Sequence, residues 1–298
     1  LGLDVSTQSM TGIIIDSDSC RIIIEESINY DQYFSKKYRV HHGVVEKGIG
    51  VVHSSPLMWV EALDLLFTKI RDNGFDFSSI RALSGCGQQH GTVYLNKDAP
   101  DALKNLLPEK TLDSQLNGIF SRETSPVWMD SSTSLQCKEI EHALGGTQKV
   151  LELTGNNVFE RFSAPQIRKF SQQEPKAYEA TARIALVSSF IASVLVGKAV
   201  PVDAGDGSGT NLMDIQKRQW DEAAMEATAP DLSRRMDPVA EPGAIAGTVH
   251  AYFVKKYGFR EDCLVLPFSG DNPSSLIGLG LVEQGNIGLS LGTSDPLF

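Results

Sequence analysis

Apolar positions at the start of the chain fall into three short runs, 1–5, 11–16 and 21–26, separated by small and polar residues at 6–10 and 17–19. Short apolar runs bounded in this way predict strands, and their close spacing predicts an antiparallel meander. Residues 30–53 are polar and without period, and Lys36-Lys37-Tyr38-Arg39 reads as a solvated loop. Helical spacing then takes over: Leu57, Val60, Leu63, Leu66, Phe67 and Ile70 follow Ser55, a good N-cap, and Pro56 at the first helical position.

Residues 80–84 predict a buried strand ending in Gly85-Cys86-Gly87-Gln88-Gln89-His90-Gly91, after which 92–95 resume extended structure. A polar insertion with weak helical content covers 98–123, and 126–130 predict a short strand leading to a helix over 134–144 that Gly145-Gly146 stops. Further helices are expected near 148–153, 165–172, 187–196 and 221–228, with Asp206-Gly207-Ser208-Gly209-Thr210-Asn211-Leu212-Met213-Asp214 as a glycine turn entering a strand. Residues 243–257 predict a helix, and the all-apolar run 264–268 a strand in the middle of a sheet, broken at Ser269-Gly270-Asp271-Asn272-Pro273 where a helix begins. A meander followed by strand–helix alternation predicts an α/β fold: a mixed, partly parallel sheet with helices on both faces. Ligands of such sheets sit at the carboxyl ends of strands, where Asp4, His90, Asp130 and Asp271 all fall.

Composition narrows the classes. A length of 298 residues allows one large domain or two ordinary ones. A net charge of −10 argues against a nucleic-acid or anionic-membrane surface, but not against a small phosphorylated ligand held by backbone donors. The apolar stretch 184–197 is too short to span a bilayer and reads as a buried helix. Cys20, Cys86, Cys137 and Cys263 are far apart, form no CxxC pair and read as reduced, buried residues of a cytoplasmic protein. No histidine spacing suits zinc. No signal peptide precedes the first strand, and the chain opens without Met inside one strand and stops at Phe298 inside another, as a fragment cut through regular structure would.

Candidate chemistry gathers at the strand ends. Leu1-Gly2-Leu3-Asp4-Val5-Ser6-Thr7-Gln8-Ser9 is echoed by Ile287-Gly288-Leu289-Ser290-Leu291-Gly292-Thr293-Ser294-Asp295, and turns of small residues expose backbone N–H groups that bind phosphate. Asp4 beside such a turn is either a local turn former or a ligand for Mg²⁺, directly or through water. Asp271 lies where strand meets helix, with Asn272 as N-cap and Pro273 first in the helix; the helix N-terminus favours an ionised carboxylate able to take a proton from an attacking alcohol. Gln88-Gln89-His90 is dense in groups that could satisfy the hydroxyls of a polyol. Arg161 could add donors to a sugar oxygen, and Asp130-Ser131-Ser132-Thr133 is either substrate-facing or a helix cap.

Together, Leu3-Asp4-Val5-Ser6-Thr7-Gln8-Ser9, Gly85-Cys86-Gly87-Gln88-Gln89-His90-Gly91, Pro126-Val127-Trp128-Met129-Asp130-Ser131-Ser132-Thr133, Glu160-Arg161-Phe162, Asp206-Gly207-Ser208-Gly209-Thr210-Asn211-Leu212, Ser269-Gly270-Asp271-Asn272-Pro273 and Ser290-Leu291-Gly292-Thr293-Ser294-Asp295 resemble, in order, the motifs of the FGGY carbohydrate kinases. Gln-Gln-His rather than Gln-Met-His is similar to the eukaryotic, xylulose-phosphorylating branch. The resemblance implies an actin-like ATPase (ribonuclease-H-type) fold and Mg²⁺-ATP-dependent phosphorylation of D-xylulose to D-xylulose 5-phosphate, with a small ketopentose as partner. By motif it implies Asp271 as catalytic base, Asp4 placing Mg²⁺, and His90, Arg161, Asp271 and Asn272 holding the sugar. It also implies Ser6, Thr7, Gln8, Gly292 and Thr293 flanking the ATP phosphates. The residues alone add Gln89 as a sugar contact. The expected organisation is a sugar-binding lobe over 1–284 and the first strand and turn of a truncated ATP-binding lobe over 285–298, with little kinase activity in the fragment alone. A kinase for ribulose, glycerol or gluconate, or a non-catalytic sugar-binding lobe, would use the same residues.

Overall fold

The computed structural model describes residues 1–283 and 285–288. The meander forms as expected. Strand β1 (Gly2–Val5) pairs antiparallel with β2 (Ser9–Asp16), which pairs antiparallel with β3 (Arg21–Asn29). The first turn is tighter than expected, only residues 6–8. The polar stretch that follows is not irregular. Helix α1 (Tyr30–Tyr38) is capped by Asn29, whose side chain accepts from the Gln32 N–H at 3.0 Å, and it buries Tyr30 and Phe34 one turn apart. Arg39 ends it in the left-handed conformation, so the basic cluster expected as a loop is the last turn of a helix, where cations suit the dipole. Strands β4 (Val45–Gly48) and β5 (Val51–Ser54) follow. Helix α2 (Pro56–Asp72) buries Trp59, Leu63, Leu66, Phe67 and Ile70 fully. It presses onto β2 at Gly12, where a Cβ would come 3.1 Å from Leu66 Cδ2.

Strand β6 (Ala82–Gly87) begins later than expected and runs on through Gly85-Cys86-Gly87. Those glycines are required by close approach. A Cβ on Gly85 would lie 2.4 Å from the Leu3 carbonyl oxygen and 2.6 Å from Phe268 Cε2, and one on Gly87 would lie 2.8 Å from the Ser188 nitrogen. Strand β7 (Thr92–Leu95) and the short helices α3 (Ala99–Lys104) and α4 (Leu112–Leu116) lead to β8 (Ser125–Pro126), which adds to β5. The strand expected over 126–130 stops there: residues 128–129 turn, and the Asp130 N–H donates to the Val127 carbonyl at 2.8 Å.

Helices α5 (Ser134–Ala143), α6 (Thr147–Thr154), α7 (Ser163–Gln173) and α8 (Pro175–Glu179) precede β9 (Arg183–Leu186), the partner of β7, and the wholly buried α9 (Val187–Val196). The short α10 (Ala204–Gly207), the hairpin β10 (Met213–Asp214) and β11 (Gln219–Trp220), and α11 (Glu222–Thr228) come next. The helix expected over 243–257 is only α12 (Ala251–Tyr257), because Gly243 turns with φ of +75° and β12 (Gly247–Thr248) pairs in the sheet before the His250 ring caps the helix. The expected strand at 264–268 is split into β13 (Leu264–Val265) and β14 (Ser269–Gly270), both parallel to β6, with Pro267, which has no N–H to donate, in the gap. Helix α13 (Asp271–Gly278) follows directly. The main sheet therefore runs β12-β13-β6-β1-β2-β3, with β14 continuing the β13 edge. One apolar core lies around this sheet, and a second, around Tyr94, Ile140, Ile167, Phe170 and Met225, lies under α5, α6, α7 and α11. All four cysteines are free; Cys137 and Cys263 are buried, but Cys20 is exposed in the β2–β3 turn, against expectation. Among the described residues no helix is long and apolar enough to cross a membrane.

Gly85→Ala is expected to lower stability by about 1–3 kcal/mol, the usual cost of overpacking, because the intruding methyl meets a backbone oxygen that cannot rotate away. Urea denaturation compared with the wild-type chain measures this.

Candidate functional site

Strand register assembles the site. In the parallel ladder β1–β6–β14, Asp4 stands opposite Cys86 and Cys86 opposite Ser269, while Val5, Gly87 and Gly270 form the final row. The residues just past that row, Ser6-Thr7-Gln8, Gln89-His90 and Asp271-Asn272, line a cavity of about 580 Å³ together with Trp128 and Arg161. Eight expected residues from four distant segments thus meet in one place.

Asp271 is the first residue of α13. Its Oδ1 accepts from the N–H groups of Gln89 at 3.2 Å and Asn272 at 2.9 Å, while Oδ2 takes no bond from any described residue. Burial raises its pKa above the ordinary carboxylate value; the two N–H bonds oppose the shift and the negative charge of Asp4 adds to it. The helix end was expected to favour the ionised carboxylate; burial acts in the opposite sense. Nor is Asn272 the cap, since Gly270 occupies that position. Asn272 instead donates its side-chain amide to Gln89 Oε1 at 2.8 Å, which couples the loop after β6 to the start of α13. Gln89, expected as a sugar contact, spends its carbonyl oxygen on this link while still lining the cavity.

His90 adopts φ of +71°, an uncommon left-handed backbone for this residue. Its Nδ1 lies 2.7 Å from the Gly209 carbonyl oxygen, and its ring stacks on Phe162 with centroids 4.4 Å apart. A carbonyl only accepts, so Nδ1 carries the proton and Nε2 is left as an acceptor. Burial pushes the imidazole down to about 4; the Gly209 bond opposes this and the charge of Arg161 adds to it. Arg161 is exposed at the cavity mouth, with its guanidinium 5.9 Å from the Trp128 ring.

The turn at Ser6-Thr7-Gln8 keeps its backbone donors open: no described residue accepts from the N–H of any of the three. The side-chain hydroxyls are committed elsewhere. Ser6 Oγ donates to Asp4 Oδ2 at 2.5 Å, and Thr7 Oγ1 accepts from Trp128 Nε1 at 2.8 Å and donates to Gln88 Oε1 at 3.4 Å. Gly43 closes the back of the turn, since a Cβ there would fall 2.0 Å from the Thr7 carbonyl oxygen. Asp4 lies beside the cavity, not in its wall, and also accepts from Cys86 Sγ at 3.3 Å. Asp130, grouped by sequence with the other strand-end acids, is structural: it is 1% exposed and accepts from the Val52 and Ser132 N–H groups and from Gln166. Among the described residues no three potential ligands cluster to hold a metal. Gly292 and Thr293, and all of the echo beyond Gly288, lie outside the described residues.

Sequence reasoning missed Trp128 and Met129 as wall residues, because it placed them in a strand. It also gave no separate weight to Asp206, which is 1% exposed, accepts from Ser188 through Oδ2 and has no partner at Oδ1. Burial raises its pKa to about 7, against the bond from Ser188 and helped by the charges of Asp271 and Asp203.

Comparison with known proteins shows the fold and the family. The chain superposes on a solved xylulose kinase from Rhodospirillum rubrum with a TM-score of 0.80 at 16% identity, covering 99% of this chain and 54% of that one, and the fold is that of the actin-like ATPases. Residues 123–278 match the N-terminal domain of the FGGY family of carbohydrate kinases, and the chain belongs to that family. It is 46% identical over 300 residues to "Xylulose kinase 2" of Arabidopsis thaliana and 44% identical over 301 residues to "Xylulose kinase" of Mus musculus, in each case along 100% of this chain. It spans about half the length of these relatives, 53% and 54%.

Two pH effects follow. An unfolded imidazole titrates near 6.5 but His90 near about 4, so only the unfolded chain takes up that proton in between, and this contribution to stability is lost as pH falls through the window. In NMR titration the His90 ring resonances are expected to stay flat from pH 8 to about 5. Asp206 works in the opposite sense: with its folded pKa raised to about 7, it costs stability as pH rises from about 4 to about 7. Asp206→Asn should therefore gain stability relative to wild type on going from pH 5 to pH 8, as read by thermal melts at both values.

Proposed function

We propose that this chain forms the sugar-binding lobe, over 1–284, of a cytoplasmic kinase that transfers the terminal phosphoryl group of ATP to the C5 hydroxyl of D-xylulose, with 285–298 leading into the lobe that holds the nucleotide. The observation that carries the reading is Asp271, with one oxygen fixed by two backbone donors and the other open to a cavity rich in polyol-binding groups. The names of its relatives support the choice of sugar.

In this reading the C5 hydroxyl donates to Asp271 Oδ2, which orients an oxygen lone pair for in-line attack on the terminal phosphorus; the proton passes to the carboxylate as the new bond forms, and the bond from that phosphorus to the bridging oxygen breaks, so that ADP leaves. Phosphoryl transfer depends mainly on positioning and charge stabilisation, so a weak base suffices, and burial brings this one nearer to its task. His90 Nε2 is an acceptor for one sugar hydroxyl, and Arg161 and Asn272 bring donors for others. The open N–H groups of Ser6-Thr7-Gln8 suit the phosphate chain. The donor set fits Mg²⁺, which takes few protein ligands: Asp4 would hold it directly or through water, and the ion when bound neutralises phosphate charge.

Asp271→Asn is expected to cut kcat by about 10²–10⁴-fold, with the Kd for D-xylulose shifting less than about tenfold. The rate is measured with ATP and D-xylulose in a protein that joins this chain to the half its relatives possess. Turnover within about threefold of wild type would remove Asp271 from the role of base.

A further inference from the structure

A second cavity of about 640 Å³ abuts the first. The two share Gln89, His90, Arg161 and Asn272, whereas Asp271 and the Ser6-Thr7-Gln8 turn belong only to the first. The shared row is therefore a waist between two chambers. A linear substrate with its reacting hydroxyl at Asp271 and its middle over the waist has its other end in the second chamber.

That chamber carries a built polar group. Asn156 lines it, and its Nδ2 is anchored twice, to the Thr154 carbonyl at 3.3 Å and to the Ser208 carbonyl at 3.2 Å. With both amide protons engaged, the side chain is fixed in orientation and Oδ1 is left with no donor among the described residues. Beside it, Phe159 and Phe162 stand with ring centroids 5.5 Å apart, and Phe162 continues into the stack on His90. Phe159 remains 43% exposed, so its ring is accessible from the chamber it lines. An oriented acceptor next to an aromatic wall suits a hydroxymethyl group on a short carbon chain: the O–H donates and the C–H surface lies against the rings.

We propose that the second chamber is the subsite for the sugar terminus remote from the phosphorylated hydroxyl, and that Asn156 is its specificity determinant, accepting a hydrogen bond from the C1 hydroxyl of the ketose through Oδ1. This rests on the sugar-kinase reading above and extends it to a residue outside the motifs that define the catalytic end.

The test compares D-xylulose with 1-deoxy-D-xylulose, which lacks only that hydroxyl, by calorimetric titration of the protein that joins this chain to the half its relatives possess. Wild type is expected to bind D-xylulose about 3–10-fold more tightly than the deoxy sugar, the worth of one neutral hydrogen bond. In Asn156→Leu that ratio falls to about one while the affinity for the deoxy sugar stays within about twofold of wild type, a thermodynamic cycle that isolates the contact. Asn156→Ser, too short to reach the sugar, is expected to do the same and serves where the leucine variant melts early. Phe159→Ala weakens both sugars by a similar factor and leaves the ratio intact. A wild-type ratio near one, or a ratio unchanged in the Asn156 variants, overturns the subsite while leaving the kinase reading standing. Failure of wild type to bind D-xylulose at all overturns both.

Discussion

Everything at the site depends on the lateral contact of three parallel strands, β1, β6 and β14, along one short ladder. No segment lines the cavity by itself: the Ser6-Thr7-Gln8 turn follows β1, the histidine loop follows β6, and the Asp271 carboxylate follows β14. They meet because Val5, Gly87 and Gly270 end in the same row. A parallel register fixes that row, since a slip by one residue would turn every side chain to the other face. The glycines of β6 are what allow the ladder to close, with Phe268 and α9 packed where side chains would otherwise stand.

The electrostatics follow from this crowding. Asp4 and Asp271 lie at the ends of the two strands that flank β6, and Asp203 and Asp206 stand at the start of and within α10, so the ends of the ladder gather acids in a poorly solvated place. Burial raises the pKa values of Asp206 and Asp271, and neighbouring charges add to it, those of Asp271 and Asp203 at the first and that of Asp4 at the second. The neighbourhood is held together by hydroxyl and amide donors: Ser6 to Asp4, Ser188 to Asp206, Ser269 and the Gly205 N–H to Asp203. Arg161 at the mouth is the cation that completes this wall.

Much of this was legible in the sequence where local chemistry decides structure. The opening meander, the stripe of α2, the strand-end loop at His90 and the strand-to-helix junction at Asp271 all follow from spacing and turn residues. What tertiary contact decides was not legible. Helix α1 looks polar because its buried residues are only Tyr30 and Phe34, and residues 243–250 look helical until β12 pairs with β13. Asp4, Asp130 and Asp271 have similar local settings, yet one sits beside the cavity, one is sealed in a turn and one is open to ligand. Only partners from distant segments separate them: Cys86 for the first, Val52 and Gln166 for the second, Gln89 for the third. Asn156 has no motif to mark it, because its orientation comes from Ser208, fifty-two positions away.

The glycine behind the first turn carries a consequence for energetics. With Gly43 backbone seated against the Thr7 and Gln8 main chain, the turn has no room to recoil, and Trp128 clamps its front through Thr7. A host held in this way has little rearrangement to undergo, so little of any attraction it exerts is consumed in reshaping it. Rigidity of that kind also leaves the turn little shape to change, so any motion around it has to arise elsewhere in the protein.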